Sequence, residues 1–127
     1  MSLGLNGGGG SQSIMAGTYA GTGTSGETGA RSLTFPRKPV HFEIFRVDPS
    51  SRRMNIVTVF MHVLTSSYQA NVAKWKESSY TAQISPSIYA KFDSTTNTLS
   101  WYGSGTNGET LGMNGNGYTY SWMAYFD

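Results

Sequence analysis

The chain has 127 residues, no cysteine, a formal net charge of +2 and a charged fraction of 13%. That length suits one domain around one hydrophobic core. The missing cysteines exclude a disulfide framework, a thiolate metal site and a thiol nucleophile, and so small a charge gives a polyanion little to follow. Eight Tyr, six Phe and three Trp beside 16 glycines describe short strands joined by tight turns.

Glycine dominates the opening. Residues 1–16, with the run Gly7 to Gly10 followed by Ser11, are expected to form a flexible arm ahead of one domain over 17–127. Met1 to Asn6 has neither the basic nor the apolar region of a secretory signal. A short strand is expected near Gly17–Gly21, then a loop of small residues to Gly29. Leu33 and Phe35 alternate with Ser32 and Thr34 up to Pro36, and Val40, Phe42 and Ile44 alternate with His41 and Glu43. Both stretches read as strands with one buried face. Asp48-Pro49-Ser50-Ser51 makes a turn, and Arg52-Arg53 fall on a solvated rim.

Met54 to Leu64 is the most apolar stretch, with apolar residues on both parities. Its valines, isoleucine and threonines favour a strand over a helix. A strand apolar on both faces needs cover on both, so an oligomer, preferably a trimer, is expected. Tyr68 to Lys76 is the one candidate helix, and Tyr80 to Ile84 reads as a short strand stopped by Pro86. Ile88, Ala90 and Phe92 alternate into the polar turn Ser94 to Asn97 and out through Leu99 and Trp101, the spacing of a β-hairpin. Gly103 to Gly117 is a second glycine-rich loop. The chain closes on Tyr118, Tyr120, Trp122, Ala124 and Phe126, one apolar row that should be a central core strand. These elements predict an all-β antiparallel β-sandwich, with a small β-barrel as the alternative.

Few motifs carry chemistry. Gly21-Thr22-Gly23-Thr24-Ser25-Gly26 matches G-x-G-x-x-G in letters, but a dinucleotide site needs a helix opening there and no helical pattern follows. His41 and His62 are the two histidines, each within an expected strand and without a ligand-spaced partner, so no metal is expected. The seven acids are scattered singly and give no evident glycosidase pair. No G-x-S-x-G elbow surrounds a serine. Arg37-Lys38, Arg46 and Arg52-Arg53 suggest a rim rather than a nucleic-acid track, because acids dilute their field. The aromatics left outside one clean core face are Trp75, Tyr80, Tyr89, Trp101 and Tyr102. Flat rings stack on the apolar face of sugars, so Trp75, Tyr80, Trp101 and Tyr102 are the candidate ligand-binding residues, with core or subunit contact as the alternative for each.

Two segments carry a resemblance. Arg31-Ser32-Leu33-Thr34-Phe35-Pro36-Arg37-Lys38-Pro39-Val40-His41-Phe42-Glu43 resembles the strand–proline–strand opening of small phage tail-fibre and virion structural domains. Leu111 to Phe126, with Tyr118-Thr119-Tyr120-Ser121-Trp122-Met123-Ala124, is similar to their closing strand and to the "W-I-A" strand of H-type lectins. Met123 stands where isoleucine is usual, and no lectin ligand residue maps onto this chain. The resemblance implies a non-enzymatic phage or prophage virion domain of the tail-fibre or receptor-binding kind. It further implies a homotrimeric sandwich among other virion proteins, whose loops touch host-surface carbohydrate. The alternative is a purely structural decoration or assembly domain without a ligand. On either reading the protein is made in the host bacterial cytoplasm and works in the extracellular virion, with no cofactor, no nucleic acid and no membrane insertion.

Overall fold

Alternating apolar residues set the strands, which a computed structural model describes over residues 13–48, 53–77 and 81–127. Nine strands form among the described residues: β1 (Ile14–Ala20), β2 (Arg31–Thr34), β3 (His41–Asp48), β4 (Arg53–Val59), β5 (Ala73–Glu77), β6 (Gln83–Ile84), β7 (Ile88–Asp93), β8 (Thr98–Gly103) and β9 (Thr119–Tyr125). All pair antiparallel, in a six-stranded sheet of order β1-β9-β3-β4-β5-β6 and a three-stranded sheet of order β2-β8-β7. The two sheets share one core, in which Phe42 and Trp101 meet at 5.4 Å between ring centroids. The fold is an all-β antiparallel sandwich, and because neither sheet closes on itself the barrel alternative is set aside.

Cross-strand register orders the inner face of the larger sheet into rows. Met15, Ala124, Phe42, Val59 and Ala73 stand side by side across β1, β9, β3, β4 and β5; the next row is Gly17, Trp122, Ile44, Val57 and Trp75. Size is balanced within the second row. A Cβ on Gly17 would lie 2.9 Å from the Trp122 indole, so glycine is what lets that ring lie flat across its neighbour strand. Ile88, Ala90, Phe92, Leu99 and Trp101 cover these rows from the smaller sheet. β9 lies between β1 and β3, so the closing strand is interior to its sheet, as its apolar row predicts; Tyr118 is corrected, since it precedes the strand and is 48% exposed.

Several expectations are corrected. Ile14, Met15 and Ala16, assigned to the arm, belong to β1 because they pair with Tyr125, Ala124 and Met123; the rest of the arm up to residue 12 lies outside the described residues. The candidate helix is absent: Asn71 takes a left-handed conformation at φ 61°, and Ala73–Glu77 pair with β4 instead. Long-range pairing there overrides weak helical preference. The Met54–Leu64 strand stops at Val59, and a 3-10 turn over Met61–Val63 carries His62 into solvent rather than along a strand. Of the strand expected over Tyr80 to Ile84, Gln83–Ile84 form β6, Thr81 and Ala82 lie outside it, and Tyr80 lies outside the described residues. The glycine motif at 21–26 is a loop leading into a 3-10 turn at Glu27–Gly29, as its surroundings predict.

Both parities of β4 are apolar, but only one is covered. Asn55, Val57 and Val59 face the core, whereas Met54, Ile56 and Thr58 lie on the outer side of the larger sheet. There Ile56 and Thr58 join Glu43, Lys74, Lys76 and Ala82 around a shallow depression of about 310 Å³.

Candidate functional site

The inner face turns polar one step beyond the Trp75 row. Arg46 of β3 stands opposite Asn55 of β4, which stands opposite Glu77 of β5, and on the far side of the sheet Tyr19 stands opposite Tyr120. Tyr19 and Tyr120 stack at 5.4 Å, and burial pushes both phenols up, Tyr19 the further. Their hydroxyls are committed: Tyr19 Oη donates to the Met113 carbonyl at 2.7 Å, and Tyr120 Oη accepts from the Gly115 amide at 2.8 Å. The Arg46 guanidinium lies 4.0 Å over the Tyr118 ring, a cation–π contact.

The three-stranded sheet is too narrow to cover all six strands, and the loop after β8 folds toward this polar end. It holds one helical turn, α1 (Gly108–Leu111). A Cβ on Gly103 would lie 2.1 Å from the Gly108 carbonyl oxygen, so glycine lets the turn fold back against the end of β8. Asn107, left-handed at φ 62°, opens that turn. Between loop and sheet lies a cleft of about 440 Å³, lined by Trp75 and Glu77 on one side and Thr106, Asn107, Thr110 and Leu111 on the other.

Two buried polar atoms at this end have no hydrogen-bond partner among the described residues: the indole Nε1–H of Trp75 and the Oδ1 of Asn55. Asn55 is 4% exposed and is a diagonal neighbour of Trp75 on the same sheet face. A buried donor or acceptor left unpaired costs about 1–3 kcal/mol. Trp75 lines the cleft and Asn55 lies one diagonal step from it on the same sheet face; a hydroxyl, which both accepts and donates, has the chemistry to pair with either atom.

A second aromatic group sits on the outer side of the smaller sheet. Tyr89 and Tyr102 are cross-strand partners stacked at 5.0 Å and 9°, Tyr68 meets Tyr102 edge-on at 4.8 Å, and Lys91 Nζ lies 4.5 Å over Tyr68. Burial raises the Tyr68 and Tyr102 phenols, so they stay protonated hydrogen-bond donors. These rings pack against one another on the outer surface of the smaller sheet, and none of their buried polar atoms lacks a partner.

The four residues singled out in the sequence do not converge. Trp75 lines the cleft, and Tyr102 belongs to the tyrosine group on the opposite side of the smaller sheet. Trp101 is corrected to a core residue: it is 1% exposed, does not line the cleft, and its Nε1 donates to the Gly112 carbonyl at 3.1 Å. Tyr80 lies outside the described residues. Asn55, Glu77, Asn107 and Thr110 were missed. Their available signal was a polar residue on the inward parity of β4 and β5, and the Asn-Gly step that opens α1. The basic residues do not form a track: Arg37 donates to the Asp127 carbonyl at 2.8 Å and stacks on Phe126, while Lys38 lies over Phe92. Comparison with known proteins finds no match, whether to a family model, a curated protein or a solved structure.

Proposed function

We propose that this chain is a non-enzymatic, glycan-binding module of a phage or prophage virion, and that the cleft beside Trp75 receives the sugar. The observation that carries the reading is the orphaned pair, Trp75 Nε1 and Asn55 Oδ1. With a small turn of the Trp75 side chain into the cleft, a sugar hydroxyl accepts from the indole, while the remaining hydroxyls meet Glu77, Asn107 and Thr110. The apolar face of the ring then has the Trp75 indole beside it. Among the described lining residues Glu77 is the one carboxylate, and glycoside hydrolysis ordinarily needs two, which supports binding over turnover. The virion setting rests on the two resembling segments, Arg31–Glu43 and Leu111–Phe126.

A glycan array followed by calorimetry tests this. Trp75→Phe keeps a ring but deletes the indole N–H, and affinity should fall about tenfold, the equivalent of one good hydrogen bond. The variant should remain folded with at most a modest fall in melting temperature, since removal of the unpaired donor offsets part of the packing lost with the second ring. An array without a hit would leave the purely structural virion module standing, a reading favoured by the exposed Met54 and Ile84, at 41% and 60%.

A further inference from the structure

The two sheets have four edges, formed by β1, β6, β2 and β7. Exposed edges invite pairing with another chain, and proteins blunt them with short strands, charges or proline. β6 has two residues, β2 carries Arg31, and β7 carries Lys91 and Asp93. β1, Ile14–Ala20, has seven residues without a charge, a proline or a bulge. Of the other strands longer than two residues, only β8 and β9 are equally free of charge, and both are paired on each side. β1 has the composition of an interior strand at the rim of a sheet.

Hydrogen-bond parity shows which groups are free for pairing. The Phe126 amide donates to the Ser13 carbonyl at 2.9 Å and the Gly21 amide donates to the Tyr118 carbonyl at 2.9 Å, so the odd-numbered residues of β1 spend their backbone groups on β9. The amides and carbonyls of Ile14, Ala16, Thr18 and Ala20 therefore project from an edge that has no partner strand among the described residues.

We infer that β1 pairs with β1 of a second copy of this chain, antiparallel about a two-fold axis through Gly17. In that register Ile14 faces the partner's Ala20 and Ala16 faces the partner's Thr18, and every outward amide and carbonyl of both strands is paired. A shift by two residues either way strands one outward residue at each end. On the core side Met15 comes opposite the partner's Tyr19, a thioether against a ring, and at the axis glycine meets glycine with no side chain to hold the strands apart. No charge is buried. The two larger sheets become one continuous sheet, and the assembly is a dimer rather than the trimer implied by the resemblance. Neither the cleft nor its ligand enters this inference.

Light scattering on the full chain at rising concentration should show a mass approaching twice 13.8 kDa. Ala16 is exposed, and Ala16→Lys should raise the dimer Kd about tenfold or more, equivalent to about 1.4 kcal/mol, with the circular dichroism spectrum unchanged. Register is tested separately, because the chain has no native cysteine. An oxidised mixture of Ala16→Cys and Thr18→Cys should cross-link between copies, whereas each variant alone should cross-link far less. A monomer at every concentration, a trimer, a dimer indifferent to Ala16→Lys, or cross-linking no better in the mixture would each overturn the inference.

Discussion

Trp122→Ala should destabilise the chain by about 3–5 kcal/mol, the usual cost of deleting a buried large aromatic. The indole is 8% exposed and packs edge-on against Phe35 at 5.7 Å and tilted against Phe42 at 6.1 Å. It stands on β9, which is paired on both sides, so the surrounding backbone has little freedom to collapse into the space left behind. A domain of this size commonly has about 5–15 kcal/mol in total, and urea titration should show the midpoint falling by about a fifth or more. Ser121→Ala, on the outer parity of the same strand, should stay within about 0.5 kcal/mol of wild type. The row structure adds a sharper test. Gly17→Ala should destabilise the wild type, because its new methyl meets the indole, yet stabilise the Trp122→Ala background, where that space is open. A double-mutant cycle without this change of sign would mean that the indole does not lie over Gly17.

What the sequence made legible follows from where the determining contacts lie. β9, the β7–β8 hairpin, β2 and β3 could be read because each buries one face, and the period of two is written in consecutive residues such as Tyr120 to Phe126. The region of residues 68–77 could not. Its apolar positions at Val72, Ala73 and Trp75 fit neither period cleanly, and the strand exists because Trp75 finds Val57 across a separation that local sequence does not encode. The cleft shows the same limit. Trp75 stood out as an unplaced ring, but Trp101 stood out equally, and the difference between them is the parity of β8 against the core, together with Gly112 as partner for the Trp101 indole. Asn55 and Glu77 looked like ordinary polar positions until register placed both on the inner face. A polar residue on a core-facing parity is a local rule broken, and such breaks gather at functional sites.

The loop walls of the cleft depend on one buried amide. Asn114 is 2% exposed; its Oδ1 accepts from the Thr22 amide at 2.8 Å, and its Nδ2 donates to Thr22 Oγ1 at 2.7 Å and to the Thr24 carbonyl at 2.9 Å. Its backbone carbonyl accepts from the Gly23 amide at 2.6 Å, and its amide donates to the Glu109 carbonyl at 2.7 Å. One residue thereby ties the loop after β1 to the loop that carries Asn107 and Thr110. Asn114→Ala should cost about 2–4 kcal/mol, because it removes several side-chain hydrogen bonds and leaves buried partners unpaired. Asn114→Asp keeps the shape but replaces a donor with an acceptor that faces the Thr24 carbonyl. A carboxylate there is buried without a cation, so the folded state favours its protonated form, whereas the unfolded chain releases the proton near pH 3.9, the usual value of about 3.9 for aspartate. With the folded pKa the higher of the two, the unfolded state binds fewer protons between them, and stability falls as pH rises through that interval. The deficit of Asn114→Asp relative to wild type should therefore be smallest below about pH 4 and widest near neutrality, measured by urea titration at each pH. Glycan affinity should drop in the same variants at temperatures where they remain folded, since Asn107 and Thr110 lose their tether. A deficit that did not change with pH would place the position 114 side chain in solvent and remove the tether from the account of the cleft.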